Sequence, residues 1–242
     1  MALLSSFVIL GHAAWETLAI SIPAVYRAHF GTLTQADCDR KLRHWSARLL
    51  DFAHVHLQVR GIEALPHDQP LIVVSNHQSL YDIPVLYQAL PVSLRMAAKK
   101  ELFKTPIWGE AMRVAGFIEI DRDNREKAYA ALETAGKRLR AARLCLHVAP
   151  EGTRTKTGAL GRFKRGAFEL AFASGLTVAP VCISGAIDVH RSGTWQVRRG
   201  QTVSVTVLPV LRPADFVDVE ALRDAAHSAM SSCLATQQLR PV

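Results

Sequence analysis

The spacing of apolar residues changes twice along the chain. From Met1 to Tyr26 they run almost unbroken, with Glu16 the single formal charge, His12 close by and Pro23 near the end. A helix of that length reaches ~39 Å at about 1.5 Å per residue, enough to cross a bilayer. No positive segment precedes the run, so it does not read as a secretory signal. A full span would carry Glu16 and His12 into hydrocarbon at considerable cost. In-plane or shallow insertion, with the polar side chains turned to the headgroups, costs less and is the expected arrangement.

The second pattern is helical and amphipathic. Thr34 followed by Asp37 has the form of a capping box. Cys38, Leu42, Trp45, Leu49 and Phe52 then recur at three- and four-residue steps, with Arg40, Lys41, Arg43 and Arg48 on the other faces. An almost uncharged helix followed at once by a cationic amphipathic one predicts a membrane-associating helical hairpin over residues 1–57.

From Val55 onward short β-rich runs alternate with helical ones. Strands are expected at Val55–Val59, Leu71–Ser75, Phe117–Ile120, Leu144–Val148, Val178–Ile183 and Val203–Val210. Helices are expected at Ile83–Leu90, Glu101–Val114, Arg125–Ala142, Phe163–Ala173 and Ala214–Leu234. This alternation predicts one α/β domain over 58–242, a mostly parallel or mixed sheet covered by helices. Ligands of such folds collect at the carboxyl ends of the strands. Pro180, inside Val178–Val181, points to a strand end or edge.

Composition adds two constraints. Cys38, Cys145, Cys182 and Cys233 are scattered without C-x-x-C spacing, which suits a reducing compartment and argues against a disulfide framework or a zinc site. The net charge of +8 is localised: residues 95–166 hold 17 Lys and Arg against 8 Asp and Glu, and the rest of the chain is nearly balanced. A cationic surface of this kind implies anionic partners such as phosphate substrates, acidic headgroups or an acidic carrier protein. No recognisable nucleic-acid module is present.

Candidate chemistry lies at the ends of the apolar runs. Leu71–Ser75 runs into Asn76 and His77, with Asp82 five residues beyond the histidine, near the start of the next helix. A carboxylate there can bond one ring nitrogen, fix the tautomer and leave the other nitrogen as a base. After Leu144–Val148 comes Pro150-Glu151-Gly152-Thr153-Arg154, where freed amides, a hydroxyl and a guanidinium make an anion cradle. Arg162, Lys164 and Arg165 read, taken alone, as a solvated basic turn. Gly116 to Arg122 forms a short strand closed by an arginine, and Val178 to Val181 is an apolar strand.

These four clusters, in this order, resemble the glycerolipid acyltransferases, specifically the bacterial 1-acyl-glycerol-3-phosphate acyltransferases. The blocks are N-H-x-x-x-x-D at Asn76, His77 and Asp82, G-x-I-x-I-D-R at Gly116–Arg122, P-E-G-T-R at Pro150–Arg154, and V-x-P-V at Val178–Val181. Ala149 stands where an aromatic commonly precedes the third block. The resemblance implies that His77 is a general base oriented by Asp82, and that the acyl donor is acyl-CoA or acyl-carrier protein. It implies an acceptor site shaped by Asn76, Arg122, Glu151, Gly152, Thr153 and Arg154, with Glu151 positioning the arginines and Lys100 a further phosphate contact. The implied acceptor is lysophosphatidic acid, with no metal or redox cofactor, at the cytoplasmic face of the cell membrane. Two rivals stand beside this reading: the same chemistry on another lysolipid such as lyso-ornithine lipid, and a non-catalytic basic module that binds membrane.

Other residues carry structural expectations. His54 and His56 lack the further ligands of a metal site. His147 is expected to be buried and hydrogen-bonded. Gly158, Gly161 and Gly166 are spaced too loosely for a nucleotide loop. Phe163, Phe168 and Phe172 are expected in the core, with the lining of an acyl tunnel as the alternative.

Overall fold

A computed structural model of the chain describes residues 2–66, 69–121 and 125–238. The strands are β1 (His56–Arg60), β2 (Leu71–Ser75), β3 (Leu94–Lys99), β4 (Ile118–Ile120), β5 (Cys145–Val148), β6 (Thr177–Ser184) and β7 (Thr202–Val207). They form one sheet in the order β1-β7-β6-β2-β5-β3-β4. All neighbours are parallel except β6 and β7, so the sheet is mixed as expected. The helices are α1 (Ala2–His29), α2 (Gln35–Phe52), α3 (Asp82–Ala89), α4 (Trp108–Val114), α5 (Arg125–Ala142), α6 (Gly166–Ser174), α7 (Ala186–Val189) and α8 (Val219–Gln238).

Every residue of β2 is buried, because both faces of the sheet are covered. Leu71 and Val73 join an apolar cluster with Ile9 of α1, Leu42 and Leu50 of α2 and Val85 of α3. Ile72 and Val74 face the other way, toward Leu139 of α5, Phe168 of α6 and Met230 of α8. Two covered faces require the continuous apolar run from Leu71 to Val74, and the one polar residue of the strand, Ser75, is buried against His147.

Within the α/β domain the structure departs from the sequence reading in four places. β3 is a strand that the pattern did not reveal, because Arg95 breaks its apolar run. The Arg95 side chain is nonetheless only 2% exposed, with Nη1 donating to Asp39 Oδ1 of α2 at 2.6 Å and to the Leu94 carbonyl at 2.8 Å. A buried guanidinium is tolerated where a carboxylate meets it. The helix expected over 101–114 splits into a 3-10 turn, Leu102–Lys104, and α4. Pro106 lacks an N–H and disfavours helical geometry in the residue before it. The helix expected from Ala214 begins at Val219, after a 3-10 turn at Pro213–Asp215, with the Ala221 N–H donating to Asp218 Oδ1 at 2.8 Å.

Pro180 provides the fourth correction: it lies inside β6, which is flanked by β7 and β2, and not at an end or edge. Its carbonyl accepts from the Leu208 N–H at 2.9 Å, so its missing donor also faces the β7 side. There Val181 pairs with Val207 and Val178 with Leu211, which leaves one extra residue on the β7 side. The proline sits at this bulge, where the ladder is already interrupted.

The two amino-terminal helices form the expected hairpin. Thr34 and Asp37 close the capping box in both directions, and Arg27 reaches Asp37 at 2.8 Å across the turn. Hydrogen bonds from Thr34 and the charge of Arg27 hold the Asp37 carboxyl well below the usual carboxylate range. Glu16 and His12 turn inward, toward α2, and not outward to a headgroup layer: Arg48 Nε donates to Glu16 Oε1 at 3.0 Å, and the His12 ring stacks on Phe52 at 3.8 Å. The outer face of α1 is apolar, with Phe7, Trp15, Ile22 and Tyr26 each exposed by more than half. By length and composition Ser6–His29 suffices to cross a membrane, and this helix suggests membrane association.

His147 of β5 is buried, as expected, and its Nε2 lies 2.9 Å from the Ser75 hydroxyl of β2. Burial, followed by the nearby charge of His77, lowers its pKa to about 3. Above the ordinary histidine value near 6.5 it is neutral whether the chain is folded or not. As pH falls from 6.5 toward 3, the unfolded chain takes up a proton that the folded chain refuses, and stability is lost. Denaturant unfolding should therefore show a drop of up to about 1.4 kcal/mol per pH unit below pH 6.5 from this group. In His147→Leu the pH dependence between 7 and 5 should flatten, whatever the change in absolute stability.

Candidate active site

The parallel strands β6, β2, β5, β3 and β4 place their carboxyl ends on one edge of the sheet, and the loop leaving β2 carries Asn76 to Asp82. Asp82, the first residue of α3, is 1% exposed by side chain. Its Oδ2 accepts from the backbone N–H groups of Gln78 at 2.7 Å and Ser79 at 3.0 Å, and lies 2.7 Å from His77 Nδ1. Two amides aim the carboxylate and the carboxylate aims the ring. Nδ1–H therefore donates to Asp82, and Nε2 remains to accept a proton.

The backbone of His77 is gripped from the neighbouring strand. Its N–H donates to Glu151 Oε1 at 2.8 Å, and its carbonyl accepts from the Thr155 N–H at 2.8 Å. The other carboxylate oxygen, Glu151 Oε2, accepts from the Gly161 N–H at 2.7 Å. Glu151 thus positions the histidine; the sequence reading had it positioning arginines. Burial raises its pKa, opposed by the backbone bonds from His77 and Gly161 and by the charge of His77. Asn76, expected among the substrate-binding residues, is buried and spends both ends of its amide on β6. Nδ2 donates to the Ile183 carbonyl and Oδ1 accepts from the Ile183 N–H, each at 2.8 Å. Its place is in the scaffold under His77.

The third block forms the cationic side of the site. Gly152 has φ +75°, and a Cβ there would fall 2.9 Å from Lys164 Nζ, so the lysine lies directly over the loop. Thr153 is exposed and Arg154 partly so. Arg162, Lys164 and Arg165 read in sequence as one solvated turn, and the fold separates them. Phe163 points into the core against His227, which sends Lys164 the opposite way, while Arg165 is held by Glu169 and Glu220. The signal was the buried aromatic between basic neighbours. Lys100, just past β3, donates to Asp121 Oδ1 at 2.7 Å at the same edge of the sheet. Arg122 lies outside the described residues.

The remaining expectations resolve simply. His54 Nε2 meets the Arg199 guanidinium, and His56 opens β1. Phe163 and Phe168 stack inside the core on the α6 and α8 side. An apolar groove lies between α1, α2 and α4, lined by residues including Ile20, Ala24, Leu42, Trp108 and Met112.

Comparison with known proteins gives the family. The Acyltransferase family profile matches residues 56–184, which contain His77, Asp82 and Glu151 to Arg154. Human 1-acyl-sn-glycerol-3-phosphate acyltransferase alpha is 34% identical over 178 residues, 73% of this chain and 62% of the relative. The human beta enzyme is 33% identical over 190 residues, 77% of this chain and 68% of the relative. The chain thus spans about two thirds of the length of these relatives. The crystal structure of the 1-acyl-sn-glycerophosphate acyltransferase PlsC from Thermotoga maritima superposes with a TM-score of 0.86 at 24% identity, covering 100% of this chain and 98% of that one, and so shares its fold. By fold, by motif and by sequence, this chain belongs to the Acyltransferase family.

Proposed function

We propose that the protein transfers a fatty acyl group from acyl-CoA or acyl-carrier protein to the sn-2 hydroxyl of 1-acyl-glycerol-3-phosphate, giving phosphatidic acid. The observation that carries this reading is the 2.7 Å bond from His77 Nδ1 to a buried Asp82, which reserves Nε2 for the acceptor hydroxyl. As the hydroxyl oxygen attacks the thioester carbonyl, Nε2 takes its proton and Asp82 balances the imidazolium. Collapse of the tetrahedral oxyanion breaks the carbon–sulfur bond, and the proton passes from Nε2 to the departing thiolate. Arg154, Thr153 and Lys164 face the acceptor phosphate, where charged donors bind best. The names of the relatives support lysophosphatidic acid as acceptor. The outward apolar stripe of α1 lies in the plane of the membrane, on the cytoplasmic side where positive charge accumulates, so that the acceptor enters from the bilayer.

Purified protein in lipid vesicles should release free thiol from acyl-CoA or acyl-carrier protein only when lysophosphatidic acid is added. His77→Ala should lower turnover by ~10²–10⁴ with an unchanged melting transition. Faster thiol release with lyso-ornithine lipid would reassign the acceptor, and no release with any lysolipid would leave a membrane-binding module.

Glu151→Gln replaces one of two accepting oxygens by an N–H donor that faces another N–H. An unsatisfied buried amide costs about 1–3 kcal/mol, so turnover should fall roughly five- to 150-fold if the loss falls on the placement of His77. The acceptor KM should stay nearly constant; a rise in KM at constant turnover would make Glu151 a substrate contact.

Arg154→Ala should raise the KM for the phosphate-bearing acceptor roughly ten- to 150-fold, the value of a charge-assisted bond of about 1.5–3 kcal/mol. A matching rise in the donor KM alone would assign the loop to the phosphates of the donor.

A further inference from the structure

Between α7 and β7 the chain makes an ordered hairpin that the acyl-transfer chemistry does not use. His190 and Val197 pair as an antiparallel bridge, and the Arg198 N–H donates to the Val189 carbonyl at 2.8 Å. The His190 side chain is buried beneath the turn, its Nε2 3.0 Å from the Thr194 carbonyl. Burial, with a smaller contribution from the charge of Arg154, lowers its pKa, so the ring is neutral and donates through Nε2–H. The hairpin is therefore built to hold its tip in one place.

That tip is Trp195, 73% exposed and the most exposed aromatic among the described residues. Residues 190–200 include Arg191, Arg198 and Arg199 and no acidic residue. Arg199 packs on Phe52 and His54, whereas Arg191 and Arg198 are exposed with no carboxylate at ion-pair distance among the described residues. An aromatic ring carried between arginines suits the headgroup layer of a bilayer, which accepts amphipathic rings and attracts cations when it is anionic.

Two anchor points tie the hairpin to the rest of the membrane-facing surface. The Val197 N–H donates to the Ser6 hydroxyl of α1 at 3.1 Å, beside the exposed Phe7 and Val8. The His190 carbonyl accepts from the Ser79 hydroxyl at 2.8 Å, within the loop that holds His77 and next to Leu80, which is itself 53% exposed. The hairpin thus bridges the first turns of α1 and the rim of the active site.

We propose that the 190–200 hairpin is a second membrane contact, in which Trp195 enters the interface of an anionic bilayer while Arg191 and Arg198 engage its headgroups, holding the mouth of the active site at the lipid surface. This rests on the in-plane placement of α1 and on the acyltransfer reading above, and it adds an anchor outside the amino-terminal helices.

The test uses the full chain and vesicles of phosphatidylglycerol and phosphatidylcholine. Trp195→Ala should weaken partitioning about tenfold, a partial share of what full burial of a large side chain is worth. The double variant Arg191→Gln, Arg198→Gln should weaken it by up to about 25-fold at low salt, and far less at high salt. In a Trp15→Phe background, lipids brominated near the headgroup should quench a fluorescence component that Trp195→Phe removes. Activity on vesicle-borne lysophosphatidic acid should fall with partitioning, while activity on a short-chain, monomeric acceptor should not change. Undiminished partitioning of Trp195→Ala together with no quenching would overturn the proposal. So would an equal loss of activity on the monomeric acceptor, because the hairpin would then act on the substrate and not on the membrane. If the unaltered protein acylates no acceptor yet Trp195→Ala still weakens vesicle binding, the contact stands and the acyltransfer reading fails.

Discussion

One carboxylate, Glu151, carries the two main-chain N–H groups of His77 and Gly161, and the placement of the histidine depends on it. A side-chain ring held only by its own rotamer drifts; a ring whose backbone is tied on both sides does not. Here the N–H goes to Glu151 and the carbonyl to Thr155, both from the loop after β5. That loop is adjacent to the His77 loop because β5 and β2 are parallel neighbours, with Val74 paired to Val148. Asn76 adds the matching tie to β6 on the other side. The histidine thus stands on three adjacent strands, and the glycine-threonine-arginine segment that begins at Gly152 is continuous with the residue that braces it.

The amino-terminal hairpin is joined to the domain by shared core and by polar ties. Ile9, Leu42 and Leu50 share one apolar cluster with β2, β6 and β7. Glu16 meets Arg48, Trp45 donates to Thr17 at 3.1 Å, and Asp39 of α2 neutralises Arg95 inside the sheet. Such ties turn the polar groups of α1 inward and leave an apolar face outside. Arg48 supplies the counter-charge that lets Glu16 lie inside the protein, so the exposed face of α1 up to Tyr26 carries no formal charge.

Much of this was legible from residues 3 to 5 apart. The capping box at Thr34 and Asp37, the apolar run of β2 and the His77–Asp82 spacing all express short-range geometry, and each reappears in the structure. What the residues determined by themselves was the chemistry available and the strand ends that carry it. The tertiary structure decided the partners. Arg95 hides β3 in the sequence, since only α2, 56 positions away, supplies the carboxylate that lets an arginine sit inside a sheet. Pro180 looks like an edge residue until the extra residue opposite it on the β7 side is known. Glu151 reads as a support for the arginines and Asn76 as part of the acceptor site because motif spacing names residues and not their hydrogen-bond partners. Lys164 reads as solvated because its approach to Gly152 depends on where Phe163 is buried. A buried polar group must find its partner wherever the fold brings one, and across 40 to 110 positions that partner is set by strand order, which no local pattern encodes.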